Sequence, residues 1–163
     1  MRKPATAHHP PSESGVLAQP NRPVTVLAIS PFSSDHVFLR HIFSHSKWRL
    51  RGAGSLREAR EFLRHSSMYV VLCEKELPDC TWKEILEELA ALKDPPPLIV
   101  TSRLADERLW AEVLNLGGYD VLMKPFDPLE VVRVISLAWR HLKNNWESAR
   151  RNWRGLKEAT ARA

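Results

Sequence analysis

Cysteine is scarce: the 163 residues hold two, Cys73 and Cys80, with no companion cluster of cysteine and histidine. Two such thiols build neither a disulfide framework nor a zinc site, so both are expected free and partly buried. Long apolar runs are missing as well. No stretch approaches the roughly 20 apolar residues that span a bilayer, and the first 22 residues lack the apolar core of a secretory signal. Both absences point to the cytoplasm. Over most of the chain there is also no excess of either charge sign. Of 24 basic and 19 acidic residues, 7 and 2 fall in residues 140–163, which leaves 17 of each elsewhere. The whole net charge of +5 therefore belongs to the C-terminal stretch, and any pull on anionic partners starts there.

What is present suffices for one ordinary domain with tails, at 44% hydrophobic residues. Residues 1–22, with prolines at 4, 10, 11 and 20, read as a disordered leader, and His8-His9 within them as solvated. One compact domain is expected over 23–142, followed by a basic extension of the last helix over 143–163.

From Pro23 the pattern alternates between strand and helix. Residues 24–29 form a short apolar run fit for a buried strand. Ser34 or Asp35 is expected to cap the next helix, whose apolar face is Val37, Phe38, Ile42 and Phe43. Residues 48–53 read as a second strand. Ser55 with Glu58 makes a capping box for the helix after it. Residues 68–73 are continuously apolar and predict a central third strand. Thr81 with Glu84 opens a helix carrying Ile85, Leu86, Leu89 and Leu92. Residues 98–101 and 121–123 predict two more strands, separated by a helix over 106–116 that Gly117-Gly118 stops. Asp127-Pro128 starts a long helix, with proline at its permitted first position. Five alternating strands and helices imply a parallel sheet covered on both faces, with function at the strands' carboxyl ends.

The segments after those ends carry a resemblance. Val70-Val-Leu-Cys-Glu-Lys-Glu-Leu-Pro78, Leu98-Ile-Val-Thr-Ser102 and Gly117-Gly-Tyr-Asp-Val-Leu-Met-Lys-Pro-Phe126 resemble segments of the response-regulator receiver domain. The Lys-Pro-Phe element, at this spacing after a glycine-ended helix, is the more specific of the three. The resemblance implies an α/β, flavodoxin-like doubly wound (βα)5 three-layer sandwich, with a five-stranded parallel sheet in order 2-1-3-4-5 and an extended C-terminal helix. It implies two-component, phosphorelay signalling as the context. It also implies chemistry that this chain has altered. Where the family places its nucleophilic aspartate, four residues before the loop proline, stands Glu74. Where it places the acidic pair that holds a divalent cation stand Ser30 and Pro31, neither of which supplies a carboxylate. The family hydroxyl and lysine are present as Ser102 and Lys124, and the resemblance implies a cis peptide at Lys124-Pro125. Val121 replaces the aromatic that often precedes the lysine by three.

A longer acidic side chain, with no acidic pair beside it, is a poor centre for in-line phosphoryl transfer. The expectation is thus a degenerate, stand-alone receiver that needs no metal or other cofactor and works by binding a histidine kinase or effector. Glu74, paired with Lys124, would stand in for the phosphorylated state. An alternative keeps Glu74 as the acceptor of a phosphoryl group from a histidine kinase. At the bland end, Glu74 is a solvated loop acid and Ser102 only ends a strand.

Past Leu142 the helical pattern continues. Val132, Ile135, Trp139, Leu142, Trp146, Ala149, Trp153 and Leu156 step by three and four, a seam of more than three heptads. Trp146 and Trp153 lie beyond the sheet and need another surface: a second copy, the same domain or a partner. A homodimer through this helix is the expectation. Asn144-Asn145 and Gly155 are expected to weaken its far end. Arg150, Arg151 and Arg154 permit a nucleic-acid alternative. No helix-turn-helix or other reading motif accompanies them, so a solvated basic face is preferred.

Overall fold

The computed structural model describes residues 23–162; the predicted leader over 1–22 lies outside them. Five strands, β1 (Thr25–Ile29), β2 (Arg49–Ala53), β3 (Val70–Glu74), β4 (Leu98–Ser102) and β5 (Asp120–Met123), alternate with five helices. These are α1 (Ser33–Phe43), α2 (Leu56–His65), α3 (Trp82–Ala90), α4 (Glu107–Leu116) and α5 (Pro128–Ala161). Every pairing is parallel and the order is β2-β1-β3-β4-β5, the predicted doubly wound sheet with β3 at its centre.

Strands buried on both faces have no need of alternation, and β3 and β4 are buried at every position. Their side chains feed two cores. One gathers Leu27, Val71, Cys73, Trp82, Ile85 and Val113 on one face; the other gathers Val26, Leu72, Ile99, Val131, Val134 and Ile135 on the opposite face. Cys73 is buried and Cys80 partly buried, both free. Burial pushes the Cys73 thiol well above its usual range and carries that of Cys80 up to about 11.

Two helix readings need correction. The N-cap of α1 is Phe32, with no side-chain cap, so Ser34 and Asp35 lie inside the first turn. Starting there turns the helix. Its buried stripe is Asp35, Leu39 and Phe43, while Val37 and Phe38 are 63% and 38% exposed. Along α5 the buried stripe is Val131, Val134, Ile135, Ala138 and Leu142, so Val132, the predicted start of the seam, faces outward. The other caps follow the sequence more closely. Thr81 and Glu84 form the full capping box, and Gly117 ends α4 in the left-handed region at φ 102°. For α2, Ser55 accepts from Glu58 N, but the Glu58 carboxylate takes Gly54 N in place of the box's return bond.

Pro23–Asn144 forms one compact unit. Residues from Asn145 on belong to another, yet the helical backbone of α5 runs unbroken to Ala161 through Asn144-Asn145 and Gly155. No described helix is long and apolar enough to cross a membrane.

Candidate functional site

Register sets the site. Glu74 ends β3 opposite Thr101 on β4, and Ser102 pairs with Met123 on β5, one residue before Lys124. The backbone N–H of Lys124 donates to Ser102 O at 2.9 Å, and that of Lys75 to Thr101 O at 2.9 Å, which holds the three strand ends level. The Lys124-Pro125 bond is cis. On the other side of β3, β1 runs into Ser30, whose carbonyl receives the His36 ring Nε2 at 2.8 Å. Gly52 makes room for that ring, since a Cβ there would stand 2.8 Å from His36 Nδ1.

These elements deliver a buried ionic cluster. The Lys124 ammonium lies 2.5 Å from Glu74 Oε2 and 2.9 Å from Asp35 Oδ2. All three residues are at least nine-tenths buried. The Thr101 hydroxyl donates to Glu74 Oε2 at 3.0 Å, and the Ser30 hydroxyl to Asp35 Oδ2 at 2.6 Å. The Phe32 ring covers the ammonium at 4.6 Å from its centroid. Charges this deep persist only when paired and hydrogen-bonded, and each of these is both.

Of the residues singled out from sequence, Glu74, Lys124, Pro125 and Ser30 come together here. Pro31 is exposed in the turn leading to α1. Ser102 is buried, but its hydroxyl accepts from Leu104 N at 3.1 Å and so closes the turn after β4. Trp139 packs edge-on against Tyr69 at 5.1 Å, while Trp146 and Trp153 are partly exposed on α5. Two residues were missed. Asp35 had been read only as a helix cap, though an acid at i, i+4, i+8 with Leu39 and Phe43 is a charge on a buried stripe. Thr101 was passed over for its neighbour Ser102, because strand ends alone do not say which hydroxyl lies beside Glu74.

A divalent cation does not fit this arrangement. The two carboxylates that face each other across the site are already held by an ammonium, and Ser30 and Pro31 add no third. A dication would need those same oxygens and would meet the ammonium's charge.

The parallel sheet in this order, with acid, hydroxyl and lysine at its carboxyl edge, defines a signalling receiver of the doubly wound class. The model of the response regulator receiver domain matches residues 36–136, and the chain belongs to that family. Among curated relatives, the transcriptional regulatory protein DpiA of Escherichia coli K12 is 29% identical over 107 residues, 63% of this chain and 46% of that protein. The chain thus spans about half the length of that relative. The chemotaxis protein CheY of Thermotoga maritima is 22% identical over 112 residues, 68% of this chain and 93% of that one. Among solved structures, a signal receiver domain of an HD domain-containing protein from Pseudomonas fluorescens superposes with a TM-score of 0.72 at 21% identity. It covers 80% of this chain and 97% of that one. The response regulator CheY4 of Vibrio cholerae gives a TM-score of 0.65 at 18% identity, with 71% and 98% covered.

Proposed function

We propose that this receiver unit acts in two-component signalling as a phosphorylation-independent binding module, with its switch held in one state by built-in charges. The observation that carries the reading is the Lys124 ammonium lying between Asp35 and Glu74. In-line phosphoryl transfer needs a free carboxylate oxygen and a cation to gather charge. Here the lysine takes the cation's place, and the carboxylate of Glu74 is held through its Oε2 by both Lys124 and Thr101. The module binds a histidine kinase or an effector in the cytoplasm, performs no catalysis, and self-associates through α5.

The test is incubation with acetyl phosphate and Mg²⁺, followed by intact mass measurement. No phosphoryl adduct is expected. Nor should Mg²⁺ raise the melting temperature, since a cation bound only by the native state must add stability. A phosphorylated Glu74 would overturn the reading and make the chain a working phosphoacceptor.

A further inference from the structure

A half-open cleft of about 460 Å³ lies at the mouth of the buried cluster, between α1 and the loops after β4 and β5. That volume falls within the range of small-ligand sites. Its apolar wall is Phe38, Pro125 and Phe126, with the two phenyl rings tilted at 38° and 6.0 Å apart. Asp35 and Lys124 line its floor, but their charges are spent on each other and on Ser30 and Glu74. What stays open to a ligand is the rim. Arg103 is exposed and makes no ion pair among the described residues, and the exposed Ser34 stands on the same lining.

We infer that this cleft is a binding site for a small amphipathic carboxylate, one carboxyl group on an aromatic or branched apolar body. Three features select that class. With the charges of Asp35 and Lys124 held inside the cluster, the ionic group of the lining that carries no ion pair among the described residues is the Arg103 guanidinium, so an anion is preferred to an amine there. A guanidinium matches the planar fork of a carboxylate with two parallel hydrogen bonds. The facing phenyl rings and the proline offer edge and face contacts to a flat or branched body, whose burial adds the apolar contribution. The inference goes beyond the binding-module reading: a ligand seated here covers the cluster whether or not Glu74 ever carries phosphate.

Phenylacetate is a suitable probe, followed by amide chemical shifts of the native chain. A fragment of this size is expected to bind at about millimolar strength. Saturable shifts should gather at Ser34, Asp35 and Phe38 and at Arg103, Leu104 and Phe126. Acetate, which lacks the apolar body, and phenethylamine, which reverses the charge, should not saturate over the same range. Arg103→Gln should weaken phenylacetate roughly tenfold or more, the loss of one charge-assisted contact. Phe38→Ala should weaken it too, in a chain whose remaining shifts report an intact fold. Absence of saturable shifts at the cleft, unchanged affinity in Arg103→Gln, or equal binding of phenethylamine would each overturn the assignment.

Discussion

At the scale of single residues, the cluster turns on Lys124. Its ammonium is the one positive charge among two carboxylates, so the two kinds of partner are not equivalent. Removing Lys124 leaves Asp35 and Glu74 buried with no cation between them. Lys124→Met is therefore expected to destabilise the domain by about 3–5 kcal/mol, the usual loss when a buried pair is broken. Glu74→Gln keeps Asp35 on the ammonium and keeps an acceptor for Thr101, so a smaller loss of about 1–3 kcal/mol is expected. Urea midpoints of the two variants are the measurement, and Lys124→Met as stable as the native chain would dissolve the cluster as a structural feature. Glu74 and Lys124 were legible in sequence because a local motif marks each: a proline four residues on, and a proline next door. Asp35 and Thr101 were not. Their roles depend on which strand ends and helix turns meet through space, and no spacing within a single segment encodes that.

The helices tell the same story one level up. Some patterns that close within one element read correctly, as with the Thr81–Glu84 box and the Gly117 stop, while the expected cap of α1 at Ser34 or Asp35 did not. The edge strand β2 read correctly as well, although only Ala53 of it is buried. Support that crosses between elements did not show. Asp79, in the loop after β3, accepts from Leu56 N at 3.0 Å and Arg57 N at 3.3 Å, and so caps α2 from 23 residues away. The backbone N–H of Leu56, more than any other contact, holds the Asp79 carboxyl below its ordinary value. A carboxylate depressed in the folded state stabilises above its unfolded pKa, and that contribution is lost as pH falls through the folded value. Asp79→Ala should therefore cost about 1 kcal/mol at neutral pH, as a lost cap does. Its disadvantage should begin to shrink once pH falls below the unfolded carboxyl value of about 4, and go on shrinking as pH falls through the lowered folded value. Thermal unfolding of both chains from pH 7 down to about pH 2 checks this; a deficit that has not begun to shrink at the acid end would assign the loss to something other than the charged cap.

On the scale of the whole molecule, the sheet's demand for cover ends before α5 does. Leu142 is the last buried residue of that helix, and the sequence carries 34 residues of it, about 50 Å. Beyond Leu142 stand Trp146 and Trp153, both partly exposed, and Leu156, 62% exposed. They share the helix with the exposed Arg150, Arg151 and Arg154, of which Arg150, four residues past Trp146 and three before Trp153, borders the same stripe. The self-association proposed above uses this outer seam in a symmetric pair. A tryptophan hides roughly 150–250 Å² when fully buried. Even half of that, at about 25 cal/mol per Å², contributes about 2–3 kcal/mol per ring before the entropic cost of association. Four such rings across a twofold axis would contribute about 8–12 kcal/mol before that cost, and in the proposed pair the surplus holds the dimer at tens of micromolar. Truncation after Leu142 should leave a folded monomer, because the buried stripe of α5 is complete at that point. Trp146→Ala with Trp153→Ala should do the same in the full chain. Sedimentation equilibrium decides: a full-length chain that is monomeric at tens of micromolar would rule out pairing along α5 and leave the tryptophans to contacts within one chain.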